Sequence, residues 1–157
     1  LPYSIDTSGL IDGWKRRYPP DVFPGIWENV ADLINAEELF APEEVLHELE
    51  IGADDLHEWA NLHAQLFVPL DEEIQQAVTD VLAAHPTWIP TDRSRNMADP
   101  FVVAVARVKA CPVVSAEAWT NSPLPERVRI PNVCDGLGIR HMTFLEMMRE
   151  LGWVFSR

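Results

Sequence analysis

Tyr3-Ser4-Ile5-Asp6-Thr7-Ser8-Gly9-Leu10-Ile11 is the stretch whose reading decides the fold. A short apolar segment ends on a carboxylate. Thr7 or Ser8 can then cap a helix whose apolar positions Leu10, Ile11 and Trp14 recur at helical spacing. The stretch predicts a buried strand that turns directly into a helix. In an open α/β sheet, ligands bind beyond the carboxyl ends of the strands, so Asp6 stands where chemistry is expected.

Working outward, the same alternation continues. Tyr18-Pro19-Pro20 reads as a turn, and the spacing of Val22, Phe23, Ile26, Trp27, Val30, Leu33 and Ile34 predicts a helix over 21–38. Leu39-Phe40-Ala41 is a candidate strand, and Pro42 opens a helix that carries Glu44 and Glu48 and stops at Gly52. Asp54-Asp55 starts another helix, and a loop around Pro69 precedes one at 71–85. A polar stretch with Arg93 and Arg95 leads to Asp99, which reads as an N-cap before Pro100. The run Phe101–Ala106 is apolar on nearly all sides, as in a helix buried against a sheet. A strand at 112–115, a loop bearing Glu117, a helix at 132–138, a strand at 141–143, a helix at 144–151 and a strand at 153–155 complete the pattern. Short apolar strands alternating with helices predict a single α/β domain over 1–157 with a central, mainly parallel sheet.

The composition fits that picture. The 157 residues are enough for one domain with a proper core, and 47% hydrophobic with 24% charged residues is ordinary for a globular chain. No apolar run approaches the ~20 residues that a membrane helix needs. The opening residues lack the basic and apolar runs of a secretory signal. Cys111 and Cys134 do not make a disulfide framework or a zinc site and are expected as reduced core residues, which points to the cytoplasm. The formal net charge is −13, and the stretch from Tyr18 to Thr91 contains no Lys or Arg. That stretch is either a solvated acidic face or a docking surface for a basic protein. It would repel phosphates, so a nucleic acid must approach the basic residues or be drawn in by cations.

The acids carry the chemical question. Asp6 and Glu117 are expected just past strands, Asp99 at a helix start, and Glu44 and Glu48 one turn apart on a shared face. Taken singly, most have a plain role: a cap, a loop residue or a solvated helix face. Four carboxylates converging on one cleft would instead repel one another without a cation. Mg²⁺ and Mn²⁺ prefer such hard oxygen ligands and activate phosphoryl groups and water.

Four segments, in order, resemble the PIN-domain nucleases, a family rich in the ribonuclease toxins of bacterial toxin–antitoxin pairs. They are Ile5-Asp6-Thr7-Ser8, Val45-Leu46-His47-Glu48-Leu49, Ala98-Asp99-Pro100-Phe101 and Val113-Val114-Ser115-Ala116-Glu117. Arg16–Pro24, Arg129–Cys134 and Leu151-Gly152-Trp153 extend the resemblance, which is closest to a poorly characterised bacterial branch. Many PIN domains have Asp where Glu117 stands, and Glu44 has no counterpart in their core pattern. The resemblance implies a three-layer α/β/α fold, on which the region around 52–92 is a helical elaboration. It also implies a metal-dependent endoribonuclease in which Asp6, Glu48, Asp99 and Glu117 hold Mg²⁺ or Mn²⁺. Hydrolysis would leave a 3′-hydroxyl and a 5′-phosphate. Ser8, Ser115 and Glu44 would support the acids, and Arg16, Arg17, Arg93 and Arg95 would contact the RNA backbone. An antitoxin partner and a homodimer follow from the same resemblance. The competing expectations are a non-catalytic module that binds a basic protein through the acidic face, and a DNA-directed nuclease of the same fold.

Other chemistries fit less well. The haloacid-dehalogenase phosphatases also open on a strand ending in Asp, but they need a second Asp where Ser8 stands. A zinc protease motif beginning at His47-Glu48 would require His at Ile51. No Gly-rich phosphate loop with a Lys is present.

Overall fold

The computed structural model describes residues 1–88, 98–121 and 128–156. Strand β1 (Tyr3–Ile5) is buried throughout and lies in the middle of the sheet. On one side it pairs with β2 (Leu39–Pro42), Tyr3 opposite Leu39, and β3 (Phe67–Val68) continues the sheet beyond β2. On the other side Ser4 and Ile5 register with Val113 and Val114 of β4 (Val113–Val114), followed by β5 (His141–Met142). The order is β3-β2-β1-β4-β5 and every pairing is parallel. Short, near-continuous apolar strands suit such a sheet because helices cover both of its faces.

The helices are α1 (Thr7–Ile11), α2 (Pro24–Asn35), α3 (Glu43–Gly52), α4 (Asp55–Leu62), α5 (Glu72–Ala84), α6 (Asp99–Lys109), α7 (Ile130–Leu137) and α8 (Phe144–Glu150). Flanking the sheet, they give the α/β domain that the alternation predicts, in the three-layer α/β/α arrangement that the resemblance implies. The apolar run of α6 is buried, as expected, and packs on β1, β2 and β4, with α5 against it. Ser4 Oγ donates to the carbonyl of Val102 at 2.8 Å, which satisfies a fully buried hydroxyl and ties the central strand to α6. Helix α2 packs against β2, and Trp14, Trp27, Trp59 and Phe144 form a cluster with ring centroids 4.8 to 5.6 Å apart. None of the helices among the described residues is long and apolar enough to cross a membrane.

Several expectations are corrected. The first helix does not run on to Trp14 as a regular α-helix. It passes into a π-helical stretch at Asp12–Arg17, where the Tyr18 N–H donates to the Gly13 carbonyl at 2.8 Å. Helix α2 begins at Pro24 rather than 21, because the Val22 and Phe23 N–H groups close a turn on the Pro19 carbonyl. Helix α3 runs through Gly52, and its left-handed cap is Ala53, at φ 43°. Strand β3 was not expected at all, and it makes the region after Gly52 part of the central sheet as well as a set of helices. Residues 153–155 form no strand. The Trp153 N–H closes the end of α8 on the Met148 carbonyl at 3.0 Å, Phe155 lies over Gly25, and Val154 is exposed.

Helix α6 also lacks a glycine at its end, and Ala110 takes the left-handed conformation at φ 52°. A Cβ in that region is strained, and glycine is not. Ala110→Gly is therefore expected to raise stability by about 1 kcal/mol, read as a higher urea midpoint at unchanged m-value.

Candidate functional site

The chain leaves β1 toward β2 on one side and returns later to β4 on the other, so the strand order reverses between β1 and β4. The carboxyl ends of strands at such a reversal are where α/β folds hold ligands. A cavity of about 320 Å³ is lined by the residues that follow both strands, Asp6, Thr7 and Ser8 after β1 and Glu117 after β4. Glu48, Asp99, Lys15 and Asp54 also line it. The four acids singled out from the sequence thus share one cavity.

Each acid is fixed by a different device. Asp6 caps α1: its Oδ2 accepts the Ser8 N–H at 3.2 Å and the Ser8 hydroxyl at 2.6 Å. Ser8 Oγ also accepts the Ala116 N–H at 3.0 Å, which joins the end of β1 to the segment after β4. Glu48 reaches from α3 to accept the Ala98 N–H at 2.9 Å, at the entry to α6. Glu117 Oε2 accepts the Ile130 N–H at 2.7 Å, at the start of α7. Asp99 does not cap α6. It is the first helical residue, Ala98 occupies the cap position without a side-chain bond, and the Asp99 side chain is buried. The ordinary explanation for an Asp before Pro therefore does not hold here.

Two polar oxygens that belong to cavity-lining residues are left over. Asp6 is only 2% exposed, and its Oδ1 has no hydrogen-bond partner among the described residues, nor has the buried Thr7 Oγ1. An unpaired buried polar atom costs about 1–3 kcal/mol. Burial holds the Asp6 carboxyl above the usual carboxylate range, helped by the charges of Glu117 and Glu48 and opposed by the Ser8 hydroxyl. Burial also raises Asp99, with Asp6, Glu117 and Glu48 adding to it. Glu117 is raised by burial too, offset by the Ile130 N–H and by Arg129. Protons or a bound cation would relieve this crowding.

The donors suit a hard divalent ion: oxygen atoms only, one carboxylate oxygen and one hydroxyl without partners, and space for water. Among the described residues, no three His, Cys, Asp or Glu side chains stand together at chelating distance. Mg²⁺ commonly uses one or two carboxylates and keeps several waters. The arrangement therefore fits a hydrated ion better than a closed protein cage.

The remaining candidates separate. Ser8 belongs to the cavity, whereas Ser115 is fully buried beside it. Ser115 Oγ accepts the Glu117 N–H at 3.2 Å and shares a hydrogen bond with His141 Nε2 at 2.8 Å, so it fixes the backbone that carries Glu117. Glu44 lies one turn from Glu48 but does not line the cavity, and partial burial raises its carboxyl. Arg16 and Arg17 are exposed and turn toward Asp12, Arg17 Nε at 2.6 Å. Arg93 and Arg95 lie outside the described residues. Thr7, Lys15 and Asp54 are cavity residues that the sequence reading did not assign to the site. The one signal for Thr7 was its place beside Asp6, and the other two come together only through the turn between α3 and α4.

The family model for a domain of unknown function, DUF4411, matches residues 3–155, and the chain belongs to that family. No curated protein and no solved structure matches it.

The raised carboxyl of Asp99 has a signed consequence for stability. In the unfolded chain an Asp loses its proton near pH 4, while the folded protein keeps it to higher pH. Between those values the folded state binds more protons, so stability falls as pH rises from about 4 into the neutral range. Asp99→Asn removes that loss. Thermal unfolding in EDTA is expected to show the variant stabilised at pH 8 by a few degrees, about 2–4 °C per kcal/mol recovered, and by much less at pH 4. A gain equal at both pH values would contradict the assignment.

Proposed function

We propose that this DUF4411 domain is a metal-dependent nuclease that hydrolyses RNA phosphodiester bonds. The observation that carries the reading is the meeting of Asp6, Glu48, Asp99 and Glu117 in one cavity at the strand-order reversal, around a buried Asp6 oxygen with no partner. One or two of those acids would bind Mg²⁺ or Mn²⁺ directly, and the others would hold it through its waters. When bound, such an ion polarises a phosphoryl oxygen, lowers the pKa of water and stabilises the departing oxygen.

The chain's own groups prepare the site. Ser8 occupies one oxygen of Asp6 and leaves the other to the ligand. The backbone N–H groups of Ala98 and Ile130 hold Glu48 and Glu117 by one oxygen each. Ser115 fixes the turn that delivers Glu117. This is preorganisation: the acids are aimed before substrate arrives. The role as a toxin, the antitoxin partner, the homodimer and the cytoplasmic setting rest on the likeness of the four acidic segments to PIN domains.

The test uses the purified chain with Mn²⁺ or Mg²⁺ and two single-stranded oligonucleotides of one sequence, RNA and DNA. RNA cleavage that EDTA abolishes is expected. Loss of groups that merely orient metal ligands costs 10–100-fold, so Asp6→Asn and Asp99→Asn are each expected to lose at least about 100-fold. Cleavage by Asp6→Asn at the wild-type rate would remove the site. Calorimetry that shows no Mn²⁺ binding, together with no cleavage, would favour a module that binds a basic protein. Preference for the DNA strand would reassign the substrate.

A further inference from the structure

Lys15 behaves differently from its two basic neighbours. Arg16 and Arg17 turn to Asp12, whereas Lys15 lines the acidic cavity and pairs with Asp54, 39 residues further along the chain. Among the described residues that line the cavity, Lys15 is the one cation, facing Asp6, Glu48, Asp99, Glu117 and Asp54.

The two partners are unequal. Asp54 is anchored without Lys15, because its Oδ1 accepts the His57 N–H at 3.2 Å and caps α4. Lys15 is a compact charge on a flexible stem. Its side chain is 42% exposed against 28% for Asp54, and an ion pair this open is weakly held because water competes for both ends. Lys15 is therefore the member that can change partner.

A phosphodiester brings one more negative charge to this cavity. With a divalent ion in place, the walls still carry more carboxylates than the ion neutralises, so approach needs a further cation. We propose that Lys15 contacts the substrate phosphate, exchanging the Asp54 carboxylate for a non-bridging oxygen when RNA enters; this rests on the nuclease reading. In the free protein Asp54 holds the ammonium. The exchange is one of hydrogen bonds and charge, with no covalent step.

The test compares wild type, Lys15→Ala, Lys15→Arg and Asp6→Asn as full chains, with Mn²⁺ and a single-stranded oligoribonucleotide. Lys15→Ala is expected to bind Mn²⁺ as wild type does by calorimetry and to lose at least about 10-fold in kcat/KM, mainly through KM. The slope of log kcat/KM against log salt should become shallower by about 0.7, the value for one lost phosphate contact on a single strand. Lys15→Arg should restore most of both, which a general folding defect would not allow. Wild-type cleavage and an unchanged salt slope in Lys15→Ala, with Asp6→Asn inactive, would overturn the role of Lys15 and leave the nuclease standing. Absence of Mn²⁺ binding and cleavage in wild type would remove the nuclease reading, and the Lys15 contact with it.

Discussion

The burial of the Asp6 carboxylate at the tip of the central strand is the constraint to which the surrounding structure answers. A charge taken out of water is costly unless it is paired or neutralised. Among the described residues the cavity's one lining cation, Lys15, is paired with Asp54, while the charges of Glu117 and Glu48 act on Asp6 directly. Ser8 accounts for one of its oxygens only. Among the described residues nothing pairs with the other, which a proton or a cation would relieve. Occupancy of the cavity and stability of the fold are therefore two views of one equilibrium, because whatever binds only the folded state stabilises it.

The anchoring bonds show how that strain is distributed. Glu48 is tied to the entry of α6, Glu117 to the start of α7, and Ser8 to the segment that follows β4. Each acid is thus held by backbone from a different part of the chain. The cavity has no rim of its own: it is the place where the sheet and several helix ends close on one another. Substitutions that shift α6 or α7 by a fraction of an ångström would move a carboxylate, even without touching the cavity.

Much of this was legible in the sequence, and what escaped did so for physical reasons. The apolar run of α6 and the segment ending in Asp6 could be read because periodicity and local composition specify a buried helix and a strand tip. Strand β3 could not, since two residues after a tight turn carry no alternation. Trp153–Phe155 has strand composition, but Gly152 at φ 71° and the bond from Trp153 to α8 commit it to a helix end. Asp99 before Pro100 has the local form of a cap, and only the packing of α6 against the sheet shows that its side chain is buried instead. The Lys15–Asp54 pair depends on a turn geometry to which no local pattern corresponds.

The outermost strands, β3 and β5, are each two residues long. An incoming extended segment would find only a few backbone groups to bond on either side, too few to hold a strand in register. Among the described residues the sheet offers little edge for growth. A second copy or a partner would therefore be met through helix surfaces and side chains rather than through a shared backbone ladder. Their recognition would be written in particular residues, and single substitutions there could change the choice of partner while leaving the fold intact.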